Sequence, residues 1–328
     1  MTMPFSRRSV LAAGVGVLGA PALVRAQTTG ARQTRIVVPF PPGNASDVAA
    51  RLISTRLSEK LGQSFYVENK PGASGVIGIK EVIAAAPDGH TLLLTSLSPL
   101  VILPHLRKDT PYDPLKDLDP VALVGWTGMA LVATPDFPAS TLKDAVEHIR
   151  ANPGKYNYGH VGPGSLSHVS MVLLMRAAKL DVTAVSYRGS GEAMTEMMAG
   201  RLHLMFDGMT SSLPQVAGGK VKGLAVNSPT RSTLAPDLPS LREVGIPVEH
   251  DVTGWTGLLA PRGTPAAIID RLNAEVNAII QEKEFQEKSR ILFLEAWKPE
   301  SPAAFSAYMA RELAKWGQAL EAAGVKSQ

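Results

Sequence analysis

The chain has 328 residues, 45% of them hydrophobic, 19% charged and 5% aromatic, too apolar for disorder and long enough for one large or two medium domains. It has no cysteine, which excludes a disulfide framework, a thiolate metal site and a cysteine nucleophile. Its formal net charge is +4, and the excess sits at the N-terminus.

Residues 1–26 carry Arg7, Arg8 and Arg25 and no acid, with an apolar stretch from Val10 to Leu23 and a small-residue exit at Val24-Arg25-Ala26. That is the layout of an export signal cleaved near Ala26. Its core is shorter than the roughly 20 apolar residues of a membrane span. Ser6-Arg7-Arg8-Ser9-Val10-Leu11 fits the twin-arginine address. Gly14, Gly16 and Gly19 match a dinucleotide fingerprint, but no strand precedes them, so no nucleotide cofactor is expected. Without the three leader arginines, 30 basic residues face 29 acidic ones, a net of +1. The mature chain therefore has no electrostatic reason to bind nucleic acid or a membrane surface.

From Thr34 strands and helices alternate. Arg35 to Phe40 is a β-branched run, read as a buried strand. After Pro41-Pro42-Gly43-Asn44, Ser46 or Asp47 can cap a helix that Gly62 stops. Phe65 to Glu68 reads as a strand, Asn69 to Gly75 as a glycine-rich loop, Val76 to Ala86 as a helix and Thr91 to Leu94 as a strand. This rhythm predicts a parallel sheet with helices on its faces. It restarts with strand Ala130–Ala133, a helix from Thr141 to Arg150, strand Tyr156–Tyr158 and helix Leu166–Ala178. Strand Val182–Val185, helix Glu192–Ala199 and strands Leu202–Phe206 and Val221–Val226 follow. Beyond Trp255 come helices, the first capped by Thr264 before Pro265, the last by Ser301 before Pro302 and ending at Gly324. The expectation is two α/β lobes with a ligand cleft between them. Crossovers near Trp126 and Trp255 put residues 27–126 and 255–328 in lobe 1 and residues 127–254 in lobe 2.

Glycines and small hydroxyl residues recur between a strand and the next helix. They are Pro42-Gly43-Asn44-Ala45-Ser46, Gly72-Ala73-Ser74-Gly75, Ser96-Leu97-Ser98, Gly162-Pro163-Gly164-Ser165 and Gly189-Ser190-Gly191. In open α/β sheets such loops lie at the carboxyl ends of strands, where ligands bind. Free N–H groups at helix starts there could hold a small carboxylate without lysine or arginine. One loop alone reads rather as a tight turn; five together favour a carboxylate cradle. The seven histidines show no zinc-helix spacing, so no metal site is expected. No G-x-S-x-G or Walker motif occurs. Ser165 with His168, and Asp207 at a strand end, could serve a hydrolase, but a cap, a pocket wall or a turn is the commoner use of such residues.

At these loops the chain resembles the substrate-binding proteins of tripartite tricarboxylate transporters, the Bug receptors. The marks, in order, are Ile36 to Gly43 with Asp47, Val67 to Ala73, Ala86 to Gly89 with Thr91 to Leu93, Tyr112 to Asp117, Tyr187-Arg188-Gly189, Met205-Phe206-Asp207, and Gly257 to Pro261 with Gly263 to Pro265. The resemblance implies a periplasmic-binding-protein-like fold and a monomeric periplasmic receptor that delivers a small organic acid to membrane transporter subunits. It implies ligand contacts from Pro42, Gly43, Asn44 and Ser46 after the first strand, and from Ser96. On the other lobe it implies His160, Gly162, Gly164, Ser165 and His168, then Tyr187, Gly189, Ser190 and Asp207. Asn44 stands where the family usually has glycine, His160 where it has a small polar residue, and Gly208 where it has asparagine, so the relatives' ligand does not transfer. A receptor docking on a sensor kinase and a periplasmic hydrolase are the competing readings.

Overall fold

The computed structural model describes residues 33–228, 230–246 and 254–322. The expected export segment and the Gly324 helix stop lie outside them. β1 (Thr34–Val38) leads to α1 (Ala45–Leu61), β2 (Phe65–Asn69) to α2 (Val76–Ile83), and β3 (Thr91–Ser96) through the π-helical turn Ser98–Ile102 to α3 (Leu103–Leu106). β4 (Leu118–Thr127) is followed, after Gly128 alone, by β5 (Met129–Ala133) and α4 (Leu142–Arg150). Then come β6 (Asn157–His160), α5 (Leu166–Ala178), β7 (Thr183–Ser186), α6 (Ser190–Met198), β8 (Leu204–Gly208), α7 (Met209–Ala217) and β9 (Lys222–Val226). β10 (Gly254–Pro261), α8 (Ala266–Gln281), α9 (Lys283–Ile291), β11 (Glu295–Ala296) and α10 (Pro302–Ala322) complete the described chain.

The strands form two sheets, ordered β11-β4-β10-β3-β1-β2 and β7-β6-β8-β5-β9. The expected all-parallel pairing holds for β2-β1-β3 and for β7-β6-β8. β10 runs antiparallel to β3 and β4, and β5 antiparallel to β8 and β9, so both sheets are mixed. Trp126 and Trp255 are register partners on β4 and β10. Alternate residues of the first sheet serve opposite faces. Ile36, Val38, Leu92 and Leu94 pack with Ile53, Leu57, Val276 and Ile279, whereas Val37 and Leu93 pack with Ile79, Phe305 and Trp316. Each such fully buried side chain contributes about 1.5–3 kcal/mol.

Local capping differs from expectation in two places. Asn44, rather than Ser46 or Asp47, caps α1, because its side-chain oxygen accepts from the Asp47 N–H. Thr264 does not cap α8; its hydroxyl donates to the Pro261 carbonyl, and Pro265 stands at the cap. Gly62 in the left-handed region ends α1 as expected, and the Ser301 hydroxyl accepts from the Ala304 N–H at the start of α10. α2 stops at Ile83, three residues early, before Ala84 and the Pro87 turn.

Candidate functional site

A cavity of about 960 Å³ opens where the loops after β1, β2, β3, β6 and β7 meet the end of β8. From the first sheet it takes Pro42, Gly43, Asn44, Ser46 and Ser96; from the second, Gly162, Ser165, Tyr187, Gly189, Ser190 and Asp207. Three expected contacts are absent from the wall: His160, Gly164 and His168. The two imidazoles lie tilted against each other behind the Gly162–Ser165 loop, with ring centroids 4.7 Å apart. His160 Nδ1 accepts from the Gly162 N–H at 3.1 Å and His168 Nδ1 from the Gly164 N–H at 3.4 Å. Burial lowers both, His168 to about 4 with a further push from His160. They support the loop as neutral acceptors.

On the first-sheet side the α1 start is tied down from beneath. Asp47 accepts from the Gly43 N–H, from Asn69 and from Nε and Nη2 on one edge of the Arg51 guanidinium, all at 2.9–3.0 Å. Burial would raise its pKa, but these donors hold the carboxyl below its usual range. Gly43 therefore does not offer its amide to a ligand as expected; its φ of +91° serves the turn instead. Asn44 uses its oxygen for the cap, and its side-chain nitrogen has no partner among the described residues.

The opposite wall is built on helix starts. Ser165 caps α5: its hydroxyl accepts from the His168 N–H, donates to the Gly162 carbonyl at 2.7 Å and meets Ser167 at 2.9 Å. With those bonds made, it is a cap more than a ligand donor. α6 and α7 begin at Gly189 and Gly208, and no side chain caps either. Asp207, almost wholly buried between these starts, accepts from Ser190 at Oδ1 and from Ser211 at Oδ2, each at 2.5 Å. Burial pushes its carboxyl up, against the pull of those hydroxyls and the Gly208 N–H.

The walls touch. Ser74 donates to the Pro163 carbonyl at 3.1 Å, and the Leu166 N–H to Ser98 at 3.1 Å. A Cβ on Gly189 would lie 2.7 Å from the Pro41 ring, so this glycine is required by Pro41; its φ of −179° is open to any residue. Trp255, Thr210, Ser211 and Met129 also line the cavity without having been expected there. Trp255 Nε1 and Thr210 Oγ1 are buried without a hydrogen-bond partner. A tryptophan inside a strand and a threonine in a proline-containing helix carry no local signal that they face a ligand.

A two-sheet α/β molecule with a loop-lined cavity rich in free donors is a solute-binding protein of the periplasmic-binding-protein fold. Residues 49–325 match the family described as Tripartite tricarboxylate transporter family receptor, and the chain belongs to that family. It is 34% identical to Protein BugT of Bordetella pertussis over 276 residues, 84% of each chain. Among solved structures it resembles R. palustris Rpa4515 with adipate, at 31% identity and a TM-score of 0.87, covering 90% of this chain and 99% of the other. It also resembles MatC from Rhodopseudomonas palustris with bound malate, at 34% identity and a TM-score of 0.81, covering 87% and 98%. Among the described residues no helix is long and apolar enough to cross a membrane, and no three potential ligands gather for a metal.

Proposed function

We propose that this solute-binding receptor captures a small organic acid in the cavity and delivers it to the membrane subunits of a tripartite transporter. It would act in the periplasm as a monomer, after removal of residues 1–26. The observation that carries the reading is the uncapped starts of α6 and α7 facing the cap of α1, whose Asn44 nitrogen is free to donate. Helix starts offer N–H donors and partial positive charge to an anion. Lobe 1 is taken as residues 27–126 and 255–328 and lobe 2 as 127–254, closing on the ligand from both sides. Catalysis is disfavoured by the bonding of Ser165 and His168: the Ser165 hydroxyl donates its hydrogen bond to the Gly162 carbonyl, and His168 Nδ1 accepts from the Gly164 N–H.

A thermal-shift screen over mono- and dicarboxylates, malate and adipate included, tests this. A ligand at 100 times its dissociation constant stabilises by about 2.7 kcal/mol. Stabilisation by an acid, without turnover of it, supports the receptor. Turnover would favour the hydrolase, and no shift with any acid would overturn the ligand class.

A further inference from the structure

Asp207 is the single acid among the described cavity-lining residues, and the exposed Arg188 the single base. An anionic ligand would therefore share the cavity with a buried carboxyl that no cation touches. The acid's bonding is unusual for a turn residue: one serine hydroxyl on each oxygen, Ser190 from the first residue of α6 and Ser211 from the first turn of α7.

A serine hydroxyl both donates and accepts. When Asp207 is ionised, both serine protons turn toward it and only lone pairs remain for a ligand. When Asp207 carries a proton, it donates to one serine: a proton freed from Ser211 turns to the Gly208 carbonyl, 2.9 Å away, whereas one freed from Ser190, whose hydroxyl bonds only Asp207 among the described residues, is released toward the cavity. The same three side chains thus present acceptors in one state and a donor in the other. A carboxylate ligand needs the donor and is repelled by the ionised state.

We propose that Asp207 is the proton switch of ligand capture: an anionic ligand binds the form in which Asp207 is protonated, drawing that proton from solvent where the free protein lacks it, and is released as Asp207 ionises. The inference rests on the organic-acid reading above. Burial shifts the carboxyl in the required direction. The surrounding elements carry few titratable groups: Glu192 and Glu196 on α6, Tyr158 and His160 on β6, Tyr187 and Arg188 before α6, and none on α7 or β5. None of them acts on Asp207, whose shift comes from burial against Ser190, Ser211 and the Gly208 N–H alone.

The test is affinity for malate, succinate and adipate by calorimetry, from pH 6.5 to 9, for wild type and Asp207→Asn. Over this range ordinary carboxylates, with pKa values near 4, stay ionised, and the lowered His160 and His168 stay neutral. Wild-type affinity should fall about tenfold per pH unit above the Asp207 midpoint. Asp207→Asn should give a flat profile and bind more tightly than wild type at pH 9. Wild type alone, titrated in two buffers of different ionisation heat at the pH where its affinity is falling, should take up a proton with the ligand, so the test survives a variant that fails to fold. A flat wild-type profile without proton uptake, or a folded Asp207→Asn that cannot bind at pH 6.5, overturns the switch while leaving the organic-acid reading intact. If no acid binds either protein at any pH, that reading falls and the switch with it.

Discussion

Gly189→Ala isolates the contact between the two walls of the cavity. The new Cβ would stand 2.7 Å from Cγ and 3.4 Å from Cβ of Pro41. Carbon atoms rest about 3.5–4.0 Å apart, so the walls must part by about 1 Å, because a proline ring cannot swing aside. The backbone at Gly189, φ −179° and ψ 171°, suits alanine, so no strain is added. Overpacking of this kind costs about 1–3 kcal/mol. If that cost falls on the closed, liganded arrangement alone, affinity drops roughly 5- to 150-fold. The ligand-free protein can open and escape it, so its melting should change by no more than about 0.5 kcal/mol, as for an ordinary surface substitution. Calorimetry with the cognate acid beside a ligand-free denaturation curve measures both numbers. Wild-type affinity would show that Pro41 and Gly189 separate in the complex. A loss of 1–3 kcal/mol without ligand would show walls that never part.

Three further outcomes follow from the bonding at the site. Ser165→Ala removes the α5 cap and should cost about 1 kcal/mol of stability in urea unfolding while changing affinity little; a large loss of affinity with unchanged stability would return Ser165 to the ligand. Asn44→Asp keeps an oxygen on the Asp47 N–H but replaces the free amide nitrogen with a negative atom. It should weaken acid binding about tenfold or more in calorimetry, and unchanged binding would place the ligand elsewhere. The lowered His168 means that the folded protein binds fewer protons than the unfolded chain, whose histidines titrate near 6.5. Stability is therefore complete above that value and is lost as pH falls toward 4, by on the order of 3 kcal/mol at most. Urea curves at pH 7, 5.5 and 4 check it, and His168→Gln should flatten the dependence.

Much of this was legible because it is written locally. α5 runs from Leu166 to Ala178 as its periodicity and cap predict, and eleven of the fourteen expected site residues share the cavity wall. The loops were marked by glycine and serine just before helices; the family resemblance added Tyr187 and Asp207. β4 and β10 gave no comparable signal. Leu118–Thr127 holds Pro120 and Gly125, and Gly254–Pro261 holds two glycines and a terminal proline, residues that read as turns. They are strands because they pair with each other and, for β10, with β3, partners far away in sequence. α7 was hidden by Pro214 in its interior. The roles of His160 and His168 depend on which way each ring turns, and here they hold a loop from behind. Asp47 and Asp207 illustrate the same limit: one carboxyl is lowered by Arg51, the Gly43 N–H and Asn69, the other raised by burial against two serine hydroxyls, and none of those surroundings is local in sequence for both.

The single residue between β4 and β5 has a mechanical consequence. Thr127 is the last residue of a strand in one sheet and Met129 the first of a strand in the other, with Thr127 still paired to Gly254. A tether of one residue has no slack. At this point the two sheets cannot drift apart as beads on a string, and a change of their spacing has to turn about Gly128. The shortness of this link couples the two walls of the cavity, and inserting a residue at Gly128 would give it slack and loosen that coupling.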